Sequence, residues 1–343
     1  MLTEDQLDEI RGYLDKAENP LIFFDEDPDG LCSYLLLRKY MDKGRGVIVK
    51  RSRDMAELYV RKVEEYSPDI IFILDIFDVN QEFIDKVNVP IVWIDHHPIV
   101  NRKGVKYFNP KINDAQDNRP TTYWCYKVTK KNLWLAVVGT ISDWYIPEFI
   151  KDFIREYPDL LDKNVKDPAE ANFKQPISEL IKILHFILKG KASEALRNAN
   201  ILLKIENPYE ILRQETSRGK FIYKYAHKIG KSYDSLLKSA LEIKPAGKLH
   251  LFIYPHGTIS YTSYLSNNVS ANLKDRFVII AREHEGEMKM SLRSGKIKVL
   301  PILEKALKDV NGYGGGHLYA AGANVKKEDF QKFIDKIKNL VNY

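Results

Sequence analysis

Cysteine is nearly absent from this chain, which has only Cys32 and Cys125. Both stand within apolar helical patterns, so a disulfide scaffold is excluded and buried free thiols of an intracellular protein are expected. Long apolar runs are missing too: none approaches the ~20 residues that a membrane span needs. The opening stretch Met1-Leu2-Thr3-Glu4-Asp5 is acidic and lacks the basic-then-apolar layout of a secretory leader. The expectation is a cytoplasmic chain with no membrane partner. Charge, by contrast, is plentiful, at 29% of residues against 44% hydrophobic. A chain of 343 residues has material for about two domains.

That charge is unevenly spread. Residues 1–150 carry a net −5 and residues 151–343 a net +11, within a total of +6. A half that holds cations joined to a half that receives a polyanion would have this distribution. So would two unevenly solvated surfaces.

In the acidic half, apolar strand patterns alternate with helical ones and repeatedly end in carboxylates. Residues 4–18 have amphipathic helical spacing. Leu21-Ile22-Phe23-Phe24 reads as a strand, and the loop Asp25-Glu26-Asp27-Pro28-Asp29-Gly30 leads into a helix over 31–41. A strand over 46–49 and a helix over 55–65 precede the run 69–75, which again finishes in an aspartate, Asp75. After a helix over 81–87, Ile91-Val92-Trp93-Ile94 gives way to Asp95-His96-His97-Pro98. This βαβ rhythm predicts an α/β fold with a parallel sheet, whose polar chemistry gathers at the strands' carboxyl ends. Aspartates alternating at 25, 27 and 29 are the kind of oxygen donors that hard divalent cations prefer. Adjacent histidines at a strand end point in different directions, so one can bind a metal while the other faces a substrate. Helices over 122–129 and 133–141 then place Asp143 after one more apolar run.

The basic half begins with helical periodicity over 148–245, punctuated by Pro147, Pro168, Pro176 and Pro208. Its stretch 218–228 interleaves Arg218, Lys220, Lys224 and Lys228 with Phe221, Tyr223 and Tyr225. That pattern suits a stacking surface for single strands, and equally a helix covering its neighbours with aromatic rings. Strand patterns return at 249–254, 276–282 and 288–293, followed by a helix over 299–307. A glycine-rich loop, Gly314-Gly315-Gly316-His317, comes next. With Ser291-Leu292-Arg293-Ser294 it forms a candidate phosphate or nucleotide cradle, because glycine lets backbone N–H groups approach an anion closely.

Taken together these motifs resemble the DHH phosphoesterases that carry a C-terminal DHHA1 domain. Asp25 to Gly30 is similar to the first motif of that family, Asp75 to the second, Asp95-His96-His97 to the one that names it, and Asp143 to the fourth. Ser291 to Ser294 and Gly314 to His317 resemble the DHHA1 signature. The helical middle is not covered. In two places the chain departs from the common pattern. Asp25 stands where many members have histidine, as in the RecJ branch, and Leu318 replaces a frequent proline.

The resemblance implies a catalytic metal-binding domain over 1–150 and a smaller α/β substrate-binding domain over 246–343, while the helical periodicity between them reads as a connector over 151–245. It also implies a two-metal centre, Mn²⁺ favoured and Mg²⁺ allowed, with Asp25 and Asp27 on one ion, Asp29, His96 and Asp143 on the other, and Asp75 bridging. His97 would contact the scissile phosphate. Arg293, Ser291, Gly314, Gly315, Gly316 and His317 would grip a phosphate or terminal nucleotide. The implied activity is an exonuclease on single-stranded DNA or RNA, 3′→5′ by likeness to archaeal RecJ-like proteins. A DNA repair or replication protein is the implied partner, and a homo-oligomer is allowed. The alternatives are a phosphodiesterase or phosphatase for nanoRNA, cyclic dinucleotides or phosphoadenosine phosphate, and a replication-complex scaffold.

Overall fold

The computed structural model describes residues 1–50, 57–244, 247–255, 257 and 259–342. They divide into two compact units, Met1–Lys228 and Ile229–Tyr343. In the first, helix α1 (Glu4–Lys16) starts at Thr3, whose hydroxyl accepts from the Gln6 N–H while the Gln6 side chain accepts from the Thr3 N–H. The sheet follows as β1 (Leu21–Asp25), α2 (Pro28–Met41), β2 (Arg45–Val49), α3 (Glu57–Tyr66), β3 (Ile71–Leu74), α4 (Gln81–Lys86), β4 (Ile91–Ile94) and β5 (Lys106–Phe108). Of the helix expected over 55–65, residues 55 and 56 lie outside the described residues.

The strands pair in the order β2-β1-β3-β4-β5, every pair parallel. Phe23, Phe72 and Trp93 are fully buried, as expected of parallel strands covered on both faces. Burial of each such large side chain contributes about 1.5–3 kcal/mol. Strand β5 has no counterpart in the sequence reading. It is three residues long and starts on a lysine, and its place comes from backbone pairing with β4 rather than from hydrophobic alternation.

Helices α5 (Thr121–Thr129) and α6 (Leu133–Ser142) pack against α2. Gly139 makes that approach feasible: a Cβ there would lie 2.5 Å from Thr122 Oγ1 and 2.8 Å from Cys32 Cβ. Cys32 and Cys125 are buried free thiols, as expected. The chain continues through α7 (Ile150–Glu156), α8 (Pro168–Phe173), α9 (Ile177–Ile187), α10 (Ala192–Leu202) and α11 (Tyr209–Leu212) into α12 (Ser217–Glu242), within which the two units divide.

The second unit contains β6 (Leu249–Tyr254), α13 (Thr262–Asn272), β7 (Phe277–His284), β8 (Glu287–Arg293), α14 (Val299–Leu307), β9 (Gly312–His317), β10 (Ala320–Lys326) and α15 (Phe330–Asn342). Its sheet is mixed, in the order β6-β7-β8-β10-β9, with β6 and β7 parallel and the other pairs antiparallel. The glycine run is therefore not the loop its composition suggests. It is the edge strand β9, held in antiparallel register by β10 although glycine has little strand propensity of its own.

Gly139→Ala is expected to overpack the α2–α5–α6 contact and cost about 1–3 kcal/mol. Urea denaturation at equal slope is the measurement, and an unchanged midpoint would contradict this account of the packing.

Candidate metal centre

The acidic run 25–30 also differs from the loop its spacing implies, and the difference sharpens the site. Asp25 is the last residue of β1, Asp27 caps α2, and Asp29 sits in the first helical turn behind Pro28. The Asp27 carboxylate accepts from the Gly30 N–H at 2.9 Å. A Cβ on Gly30 would meet the Asp25 backbone N and O at 2.7 Å, so only glycine lets the helix start so close to the strand end. Asp75 follows β3 with φ +61°, and Trp144, next to Asp143, has φ +63°. Non-glycine residues held in this region cost roughly 1–3 kcal/mol and cluster where function fixes the backbone.

These elements bring all six expected ligand residues together. Ligand atoms within 4.8 Å of one another form three overlapping sets: Asp25, Asp27 and Asp75; Asp29, His96 and Asp143; and Asp75, His96 and His97. His96 Nε2 lies 3.4 Å from Asp75 Oδ1, 3.5 Å from Asp143 Oδ2 and 3.8 Å from Asp29 Oδ2. Two of the aspartates are also anchored from α5. The Thr121 and Thr122 N–H groups donate to Asp29 at 3.0 and 2.7 Å, and the Thr121 hydroxyl donates to Asp75 at 3.1 Å. A helix N-terminus thus fixes one carboxylate of the cluster. Sequence reasoning did not single out Thr121; the signal available was a Pro-Thr-Thr helix start.

The first residue of the Asp-His-His run plays a different part. Asp95 is fully buried and its Oδ1 accepts from His97 Nδ1 at 2.7 Å. Its Oδ2 accepts from the His97 N–H at 3.2 Å and from the Tyr107 hydroxyl at 3.3 Å. Asn109 donates to the His97 carbonyl at 2.9 Å. Asp95 therefore orients His97 rather than facing the ligand cluster. Tyr107 and Asn109, on and just after β5, were not anticipated because β5 itself was not. Lys111, half-buried, donates to the His96 carbonyl.

Electrostatics separates the two histidines. Burial pushes His96 down to about 4, which leaves a neutral imidazole suited to a metal. Burial would depress His97 as well, but the Asp95 hydrogen bond and charge, with Asp143 and Asp27 near by, raise it to about 9. His97 is thus a cation at neutral pH. Burial, then the Asp27 charge, raises Asp25 to about 7. Burial and the neighbouring carboxylates hold Asp75 well above the usual range, and burial above all raises Asp29 and Asp143. A dense oxygen set with one neutral imidazole, short of counter-charge, fits divalent cations such as Mn²⁺ or Mg²⁺.

In the second unit, Arg293, Ala320 and His317 are in register across β8, β10 and β9, as are Ser291, Gly322 and Gly315. Directly paired residues project from the same face. The opposite face carries the buried Met290, Leu292, Ala321 and Ala323. Nothing lies within 4 Å of a Cβ built on Gly315, so the sheet is bare there. The Arg293 guanidinium donates to Asn267 Oδ1 at 2.6 Å, to the Leu292 and Ala321 carbonyls at 2.9 and 3.0 Å, and to Ser263 Oγ at 3.3 Å. None of these acceptors is charged, and burial lowers Arg293 to about 10.

Residues 19–141 match the N-terminal domain of the DHH family and residues 262–342 match the DHHA1 domain. The chain therefore carries an N-terminal domain of the DHH family followed by a DHHA1 domain. An uncharacterized protein of Methanocaldococcus jannaschii is 23% identical, over 92% of this chain and 91% of its own length. RecJ of Thermus thermophilus, in complex with Mn²⁺, shares the fold at 17% identity and a TM-score of 0.67. The match takes in 98% of this chain but 54% of that one, so the chain spans about half of RecJ's length. A pGpG-specific phosphodiesterase of Vibrio cholerae shares it at 12% identity and a TM-score of 0.53, over 95% of this chain and 99% of that one.

A pH dependence follows for metal-free protein. Asp25 at about 7 and His97 at about 9 both lie above their unfolded values, so their stabilisation is present at low pH and lost as pH rises through those values. His96 works oppositely, but it loses stability only as pH falls below its unfolded value of about 6.5. With EDTA, the melting temperature is expected to drop between pH 6.5 and 8.5, and Mn²⁺ to restore most of the loss at pH 8.5. A flat profile without metal would contradict the cluster's electrostatics.

Proposed function

We propose that the chain is a metal-dependent phosphodiesterase acting as an exonuclease on single-stranded DNA or RNA. The observation that carries this reading is the convergence of Asp25, Asp27, Asp29, Asp75, His96 and Asp143 beside a cationic His97. Two ions are assigned, Asp25 and Asp27 on one, Asp29, His96 and Asp143 on the other, with Asp75 shared. When bound, such ions lower the pKa of a coordinated water and neutralise charge developing on phosphoryl oxygens. His97, held by Asp95, presents a fixed cation to the scissile phosphate. Its proton is secured by a buried carboxylate, so its part is to bind and orient an anion rather than to take up a proton. The likeness in fold to RecJ in complex with Mn²⁺ and with Mg²⁺ supports either ion, and Mn²⁺ is the one proposed.

Arg293 and His317, with Ser291 and the bare backbone at Gly315, are assigned to a substrate phosphate or terminal nucleotide, with Gly314 and Gly316 as its neighbours in β9. Arginine suits the task because its planar fork pairs with two phosphate oxygens. A 3′→5′ direction, a repair or replication protein as partner and self-association extend the same reading. The likeness in fold to a pGpG-specific phosphodiesterase supports a second one, an enzyme for dinucleotide-sized substrates. A time course with end-labelled single-stranded DNA and RNA, including dinucleotides, in Mn²⁺ separates the two. Processive shortening of oligomers supports the nuclease, and turnover of dinucleotides alone would replace it.

Asp75→Ala is expected to abolish turnover while the protein stays folded, because the shared carboxylate serves both ions. Near-normal activity in saturating Mn²⁺, with an unchanged circular dichroism spectrum, would sink the two-metal assignment.

Arg293→Ala is expected to lower kcat/KM at unchanged Mn²⁺ stoichiometry. The lost charge-assisted contact is worth ~1.5–3 kcal/mol, or roughly tenfold to a hundredfold. A lowered melting temperature with normal kinetics per folded molecule would make Arg293 a structural residue.

A further inference from the structure

The stretch 218–228, which the metal centre leaves unused, forms the first turns of α12. One side of this segment is packed: Gly219, Ile222 and Ala226 are buried. The other side carries Arg218, Phe221, Lys224, Tyr225 and Lys228 at spacings of three, four and seven, which is one helix face. The two readings of this stretch are therefore divided between two faces of one helix.

The outward face is built rather than merely charged. Phe221 is 38% exposed, although a ring in a covering role would be buried. The Arg197 guanidinium, from α10, sits over its ring at 5.4 Å from the centroid. Tyr225 stacks beside it at 6.2 Å, with the planes 28° apart. The Tyr225 hydroxyl reaches the Lys189 carbonyl at 3.5 Å, beside Gly190 and the exposed Lys191. Lys50 donates to the Gly190 carbonyl at 2.8 Å and to Glu26 at 2.6 Å, and Glu26 stands between Asp25 and Asp27. The contacts thus run unbroken, within the N-terminal unit, from the carboxylate cluster to the exposed aromatic pair. Among the described residues, acids are few along it. Glu26 is held by Lys50, Glu179 is spent on Lys182 and His227, and Glu194 lies by Tyr225.

We propose that Lys50, Lys189, Lys191, Arg197, Phe221 and Tyr225 form a track for a single-stranded polynucleotide whose scissile end lies at the metal centre. Lys189 and Lys191 neutralise phosphates while Lys50 keeps Glu26 occupied, and the Phe221–Tyr225 pair, backed by Arg197, offers a flat surface on which bases stack without regard to sequence. The track rests on reading the metal centre as a site for a nucleotide phosphodiester, and it makes chain length the quantity that the protein senses. Phe221 lies beyond Lys50, Gly190 and Tyr225 along this path, so it is expected to engage a longer strand more than a dinucleotide held at the cluster.

The test is binding of fluorescein-labelled dT12 and dT3 to the full chain, followed by anisotropy in EDTA so that nothing is cleaved. Phe221→Ala is expected to weaken dT12 roughly tenfold and dT3 much less. Phe221→Trp is expected to restore it, and Arg197→Glu to flatten the salt dependence. Melting temperatures serve as the folding control for each variant. Equal dT12 affinity in wild type and Phe221→Ala, or an equal loss for dT3, would overturn the track. Cleavage of dT12 by wild type in Mn²⁺ is scored separately. A protein that binds dT12 through Phe221 without cleaving it would overturn the nuclease reading and leave the track standing.

Discussion

Mutual repulsion among buried carboxylates is the constraint on which the N-terminal unit depends. Asp29 and Asp75 are at most 2% exposed, and the ligand atoms around them approach within 4.8 Å of one another. At an effective dielectric of ~20, two unit charges ~4 Å apart repel by about 4 kcal/mol. Whole domains are stable by only ~5–15 kcal/mol. Several such pairs cannot all be ionised without compensation, so the cluster takes up protons or cations. The fold keeps the cluster because its supports are backbone N–H groups and a threonine hydroxyl, which hold the carboxylates in place whichever species compensates them.

A parallel sheet is well suited to carry such a load. Its strands are apolar on both faces, so the interior holds nothing that would compete for the ions. The carboxyl ends of β1, β3 and β4 sit side by side and deliver Asp25, Asp75 and the Asp-His-His run to one edge. Asp143 arrives differently, at the end of α6, and reaches the same edge because Gly139 lets α6 lie against α2 and α5. Within the Asp-His-His run, the alternation of a strand end turns three neighbours to three tasks. Asp95 points inward, His96 faces the cluster as a neutral ring, and His97 is held protonated by Asp95.

Most of this architecture was legible in the sequence because it rests on period and on punctuation. Uninterrupted apolar runs that end in aspartate marked β1, β3 and β4 and put their carboxyl ends on one edge of a parallel sheet. What stayed hidden depends on partners distant in the chain. Strand β5 is too short for a pattern and exists through pairing with β4, so Tyr107 and Asn109 were invisible with it. Asp29 read as a loop carboxylate although Asp27 as cap and Pro28 at the first helical position are local signs of an earlier helix start. Nothing local, by contrast, says that Thr121 and Thr122, 92 and 93 residues on, will donate to it. The glycine run read as a loop for the same reason: its strand character is lent by β10. Helix α15 is a different case. Its stripe of Phe333, Ile334, Ile337 and Val341 was present in the sequence and went unread.

The glycine-rich edge and Arg293 make sense as one device. A part-buried guanidinium with only neutral acceptors is costly to hold in place, and an acid at any of those positions would ease the cost. Such an acid would also repel a phosphate. Asn267 and Ser263, which lie on α13, instead fix the orientation of the fork without supplying a counter-charge. Glycines at 315 and 322, on β9 and β10, keep the same face of the sheet low. An anion can then come close to backbone that side chains would otherwise screen. This charge balance is the reverse of the one around Asp75. One site is short of cations and the other short of an anion, and each deficit suits the ligand proposed for it: divalent metal in the first, phosphate in the second.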